Sequence, residues 1–107
     1  MPATICTDDG FATLINIFTV EPANQKRLVE VLRDGTETFI TQMAGWVSTN
    51  FLASKDGGRV VVYSQWRSVK DIEAMRQNPN MGPYLQRIAA LAKFEAFACD
   101  VVYAQHA

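Results

Sequence analysis

Leu14-Ile15-Asn16-Ile17-Phe18-Thr19-Val20, together with Val60-Val61-Val62-Tyr63-Ser64-Gln65-Trp66, decides the fold of this chain. Both stretches are short and rich in β-branched and aromatic residues, the composition of strands. Side chains alternate between the two faces of a strand. Leu14, Asn16, Phe18 and Val20 therefore share one face, and Ile15 and Ile17 the other. In the second stretch Val60, Val62, Ser64 and Trp66 oppose Val61, Tyr63 and Gln65. Asn16 is the oddity, because it occupies an otherwise apolar face. A buried amide without a partner costs about 1–3 kcal/mol, so its neighbours matter. An amide and an indole on one sheet face would make a polar spot in an oily pocket, suited to a flat aromatic molecule.

The rest of the chain is built around these two strands. The first spans 12–20. Pro22 suits the first turn of a helix. Leu28, Leu32, Gly35/Thr36, Phe39 and Met43 then recur at helical spacing with Val29 and Ile40 alongside, which predicts one helix running on to a stop at Gly45. Strands follow over 46–55 and 59–66. Asp56-Gly57-Gly58 between them is a hairpin signal, since glycine supplies a positive φ. Ser68-Val69-Lys70-Asp71 opens the next helix with a capping pattern, and Asn78-Pro79 closes it. A further helical piece carries Pro83 early, with Tyr84, Leu85, Ile88 and Leu91 on one side. A last strand is predicted over 93–103. Residues 1–11 read as a lead-in, and 12–107 as one domain without repeat or linker.

The resulting order is β-α-β-β-α-β, which points to an α+β, ferredoxin-like sandwich. Its antiparallel sheet carries helices on one face and sets the first and third strands side by side in the centre. The alternating sets leave both sheet faces apolar, yet helices cover only one. A bare apolar face is an association surface, so a homodimer joined through its sheet faces is expected.

Composition narrows the function. The chain has 107 residues, 49% of them hydrophobic, and a net charge of −1. Its charges are interspersed, which argues against nucleic acid as a partner. No apolar run approaches the roughly 20 residues of a membrane span. No basic-then-apolar secretory leader is visible, so a cytoplasmic location is expected. Cys6 and Cys99 form no CxxC and have no nearby histidine, so they read as free thiols rather than metal ligands, with Cys99 a small core residue. The one histidine, His106, is penultimate and expected to fray.

Asn16 and Trp66 are the candidate catalytic residues. Parity leaves two placements open: a pocket between sheet and helices, or the subunit interface. Two bland roles stand beside these, Trp66 as core filler and Asn16 as a bond to a strand end. Phe18, Phe39, Val62, Tyr84 and Arg87 are the candidate substrate-binding side chains. Arg76 is a weaker cationic candidate, expected to be solvated. Asn80-Met81-Gly82-Pro83 is a candidate lid, otherwise a plain connector. Asp100 is a base if buried and a rim residue if not. Trp46 reads as dimer packing.

The pieces Asn16-Ile17-Phe18-Thr19-Val20 with a Pro-started helix, Met43-Ala44-Gly45-Trp46, and Tyr63-Ser64-Gln65-Trp66-Arg67-Ser68 with a helix ending at Asn78-Pro79 resemble the antibiotic biosynthesis monooxygenase family. The resemblance covers about Leu14 to Tyr103. It implies a dimeric α+β barrel. Some members oxidise phenolic polyketides to quinones without metal, flavin or haem, so it implies a small aromatic substrate, O2 and no cofactor. On the family pattern Asn16 donates to the substrate oxyanion, and Trp66 donates its indole N–H or stacks on the ring. Members that form quinones often carry a second asparagine four residues before the tryptophan, where this chain has Val62. A haem-degrading branch of the fold needs a helix histidine where this chain has Arg76 and Gln77, so haem is not expected. A non-oxidative binding protein or isomerase on the same fold is the alternative, and a pocketless interaction module a third.

Overall fold

The computed structural model describes residues 10–107. Cys6 and most of the expected lead-in lie outside the described residues. Strand β1 covers Ala12–Val20, helix α1 Gln25–Thr38, β2 Trp46–Ala53, β3 Arg59–Trp66, α2 Val69–Arg76, α3 Met81–Ala89 and β4 Ala92–Cys99. Single 3-10 turns at Pro22–Asn24 and Ile40–Gln42 flank α1. The four strands form one antiparallel sheet in the order β2-β3-β1-β4, the ferredoxin-like arrangement.

Local chemistry explains the element ends. Gly57 sits at φ +84° in the hairpin, and Asp56 Oδ1 accepts from Gly58 N at 2.9 Å and from Ser54 Oγ at 2.8 Å. Gln25 Nε2 donates to the carbonyls of Ser54 and Arg59, both at 3.0 Å, tying the hairpin to the start of α1. Ser68 caps α2, accepting from Asp71 N at 3.2 Å while its hydroxyl donates to the Asp71 carboxylate at 2.9 Å.

Three expected boundaries move. The first helix stops at Thr38 instead of running to Gly45, because Phe39 leaves helical geometry at φ −141°. The stretch from Thr36 is crowded with β-branched residues. The hydroxyls of Thr36 and Thr38 donate back to the carbonyls of Leu32 (2.9 Å) and Asp34 (2.7 Å), a habit that weakens a helix locally. The second strand closes at Ala53, opposite Val60, because Ser54 N already donates to Arg59 O across the turn. The last strand ends at Cys99 rather than 103. Its partner runs out: Cys99 pairs with Thr13, and Gly10 turns the chain at φ +80° just before β1 begins.

The core lies between the helices and one sheet face. Leu14, Phe18 and Val20 of β1 and Val60, Val62 and Trp66 of β3 are buried there against Leu28, Val31 and Leu32 of α1, Ile72 and Met75 of α2, and Tyr84 and Ile88 of α3. Fully burying a side chain of this kind contributes about 1.5–3 kcal/mol. Trp46 packs on the rim of this core, where its indole N–H donates to Thr49 Oγ at 2.8 Å. Trp46 is half-buried there, so part of its surface stays open beside this internal bond.

The other sheet face is less uniform than its alternation implied. Ile15, Ile17 and Val61 are half-buried, and Leu52 and Phe97 are 55% and 42% exposed. The β2–β3 half, however, is polar: Ser48 Oγ donates to Gln65 Oε1 at 2.7 Å, and Asn50 Nδ2 donates to the Tyr63 carbonyl at 3.2 Å. Cys99 lies at the end of edge strand β4, half-buried and unpaired, not in the helix-side core.

Candidate functional site

Between the sheet and the helices lies a cavity of about 330 Å³. That is near the lower end of the roughly 300–1,000 Å³ typical of small-ligand sites. Asn16 and Trp66 both line it. Of the two placements left open by parity, the pocket is the one observed.

Register explains why Asn16 reaches the middle of the floor. It pairs with Val62 on β3 and with Ala96 on β4, and Val62 pairs in turn with Phe51 on β2. The row across the sheet thus reads Phe51, Val62, Asn16, Ala96, and all four side chains line the cavity. Asn16 is the only amide among them. Among the described residues no hydrogen bond engages its carboxamide, which is half-buried and faces the void. Val62 stands directly across from Asn16, so a second amide there would have shared the same ligand.

Trp66 is held differently from the expectation. It is 2% exposed, and its indole N–H donates to Ser64 Oγ at 3.2 Å. The Ser64 hydroxyl then donates to the Leu14 carbonyl at 3.3 Å. This relay uses up the indole donor and fixes the ring. What Trp66 offers the cavity is its π surface, not its N–H. Ser64, two residues away on the same strand face, is the anchor that the sequence reading did not single out. A serine inside a strand carries no signal of its own.

Tyr84 lines the cavity as expected, but as a wall. Its hydroxyl donates to the Leu32 carbonyl at 3.2 Å, and burial pushes its phenol far above the ordinary value. It therefore stays protonated at any working pH and is not a base. Its ring lies against Gly35 of α1: a Cβ there would stand 2.2 Å from Tyr84 Cε1. Gly35 is thus a packing requirement. Phe39 meets Tyr84 edge-on with ring centroids 5.3 Å apart. It does not line the cavity but braces a residue that does. Phe18 and Phe94 sit side by side at 5.4 Å and line the floor.

Arg87 stands apart from the cavity. It points outward into an ion pair with Asp34 at 3.0 Å. Arg76, the last residue of α2, does line the cavity while remaining solvent-exposed, which places it at the rim. The expected lid is no loop: Asn80 precedes α3, and Met81, Gly82 and Pro83 form its first turn, with Met81 buried in the cavity wall. Asp100 is exposed beyond the last strand, and His106 is exposed near the terminus. Among the described residues no histidine, cysteine or carboxylate lines the cavity.

The helix-side face of this ferredoxin-like sheet thus encloses an apolar cavity with one unengaged amide, a candidate small-molecule site. The antibiotic biosynthesis monooxygenase family model matches residues 11–87. Tetracenomycin-F1 monooxygenase of Streptomyces glaucescens is 37% identical over 101 residues, covering 94% of this chain and 90% of the relative. The monooxygenase from the ActVA-Orf6 gene of Streptomyces coelicolor, solved with nanaomycin D, superposes with a TM-score of 0.79 at 27% identity, covering 92% of each chain. SnoaB, a cofactor-independent oxygenase from Streptomyces nogalater, superposes with a TM-score of 0.74 at 20% identity, covering 89% of this chain and 96% of that one, and bears on the fold. The chain belongs to the antibiotic biosynthesis monooxygenase family.

Proposed function

We propose that this protein is a cofactor-independent monooxygenase that converts an aromatic phenol, hydroquinone or anthrone to a quinone with O2. The observation that carries it is the unengaged Asn16 carboxamide on the floor of an apolar cavity. The name of the Streptomyces glaucescens relative supports the same reading.

The chemistry asks little of the protein. Ground-state O2 is a triplet and reacts with a closed-shell molecule by single electrons. An enolate or phenolate supplies the first electron itself. For an anthrone the net change is CH2 to C=O: one oxygen atom enters the ring, and the other leaves as water with both hydrogens. The site must favour the ionised substrate and exclude bulk water. Asn16 Nδ2 donates to the developing oxyanion, in surroundings of low dielectric where such a bond counts for more than in water. Trp66, Phe18 and Phe94 offer aromatic surface to the ring from the sheet, and Tyr84 closes the helical side.

Oxygen uptake with a panel of anthrones and hydroquinones, using protein verified free of metal and flavin, tests this reading. Turnover is expected with at least one flat tricyclic substrate. Tight binding of such molecules without oxygen consumption would establish instead a non-oxidative binding protein or isomerase. Val62 opposite Asn16 favours that second reading, because it leaves the floor with one amide.

The uncovered sheet face supports a homodimer. Ile15, Ile17, Val61 and the exposed Phe97 form its apolar half, beside the Ser48–Gln65 and Asn50 hydrogen bonds. Light scattering at micromolar concentration is expected to give twice the 11.9 kDa chain mass; a clean monomer would remove the dimer from the proposal.

A further inference from the structure

Arg76 has no place in the chemistry above, yet among the described residues it is the one charged side chain in the cavity lining. Among the described residues it also has no ionic partner. The two ion pairs among the described residues, Arg33–Glu37 and Arg87–Asp34, leave it out, and no other interaction of its guanidinium is present there. A cation on a solvated helix face is ordinary. A cation at the mouth of an apolar cavity, with no carboxylate beside it among the described residues, is not.

The remaining polar groups sharpen the point. The Trp66 N–H and the hydroxyls of Ser64, Thr36 and Tyr84 are all spent on protein oxygens. Thr49 Oγ is occupied as acceptor for Trp46. Beside the Thr49 hydroxyl proton, which no partner takes up among the described residues, what the cavity still offers is the Asn16 amide on the floor and the Arg76 guanidinium at the rim. A ligand that satisfies both is a flat apolar body with an oxygen at the reacting ring and an anionic oxygen at its outer end.

We propose that Arg76 selects aromatic substrates bearing a carboxylate remote from the reacting ring. This rests on the proposed function for the identity of the ring, but not for the charge. A carboxylate fits the rim better than a phenol does. At pH 7 and in near-aqueous surroundings a phenol, with a pKa near 10, is neutral, whereas a carboxylate is ionised. It also presents two oxygens to the guanidinium fork, a geometry lysine cannot match.

The test compares anthracene-2-carboxylate with its uncharged methyl ester by titration calorimetry, on the intact protein and on Arg76→Gln and Arg76→Lys. The intact protein is expected to bind the acid about tenfold more tightly than the ester, the size of one charge-assisted contact at a partly solvated site. Raising salt should shrink that preference, because the rim is exposed to screening. Arg76→Gln should bring acid and ester within about twofold of each other, and Arg76→Lys should keep part of the gap. Equal binding of acid and ester by the intact protein, or a preference that survives Arg76→Gln, overturns the assignment. The outcome is separable from the oxidation itself. Oxygen uptake with an uncharged anthrone but no acid preference removes only the role of Arg76. Acid preference without oxygen uptake keeps Arg76 and removes the monooxygenase reading.

Discussion

Asn16→Ala is expected to lower kcat for quinone formation by about 10²–10³-fold, the usual cost of deleting a single oxyanion donor. The same variant should be no less stable than the parent. Asn16 is half-buried and makes no side-chain hydrogen bond among the described residues, so its removal orphans no partner. Losing an amide that sits partly desolvated and unsatisfied stabilises by up to about 1 kcal/mol. A gain in stability with a loss of activity is the mark of a residue held for function at the fold's expense. Oxygen-electrode rates and thermal melts on the same preparations check both halves. Activity within about threefold of the parent would sink the catalytic role, taking the oxyanion-donor range as the yardstick. A marked drop in melting temperature would mean that Asn16 has a structural bond instead.

Trp66→Ala should show the opposite signature. The ring is 2% exposed and packs at the junction of β3 with the core, so its deletion leaves a large void. Truncations of this kind cost about 3–5 kcal/mol, a large share of the roughly 5–15 kcal/mol by which a small domain is stable. The void also opens into the cavity, so substrate affinity falls with stability. Trp66→Phe separates the two contributions of the residue. It keeps most of the apolar bulk but removes the donor to Ser64 Oγ, and is expected to cost about 1–2 kcal/mol, the range for a lost hydrogen bond plus partial cavity. Urea unfolding at one fixed protein concentration measures both, since association would otherwise enter the midpoint. A loss below about 1 kcal/mol for Trp66→Ala would contradict its place in the core.

These two residues also show what the sequence reveals. Strand parity places Asn16 with Leu14 and Phe18, and Trp66 with Val62 and Ser64, and the element order sets β1 beside β3. That is enough to bring both residues to the centre of one face, as observed. Glycine and proline punctuation marks the hairpin at Asp56-Gly57-Gly58 and the end of α2 at Asn78-Pro79 for the same reason: both act locally. What depends on distant contacts is not legible. Gly35 resembles a weak helix residue until the Tyr84 ring is found against it. The hydroxyl relay from Trp66 through Ser64 to Leu14 crosses two strands and leaves no spacing pattern. Arg76 and Arg87 read alike on their helices, and only the folded structure sets one at the cavity rim and the other against Asp34. β4 ends at Cys99, short of the expected 103, because a strand's length depends on its neighbour. Phe97 and Cys99 pair with Ile15 and Thr13, whereas Val101 and Tyr103 continue the alternation beyond the last pair with β1.

The most direct measurement follows ionisation of the bound substrate without letting it react. An anthrone or naphthol that ionises with a clear absorbance change is titrated with alkali under argon, free, bound to the parent protein and bound to Asn16→Ala. If Asn16 holds the anionic oxygen, the bound substrate's pKa lies below its free value in the parent protein and returns toward or above it in Asn16→Ala, where apolar burial acts alone. The same bound pKa in both proteins, or one raised in the parent, would show that the amide does not favour the ionised substrate and would contradict the mechanism.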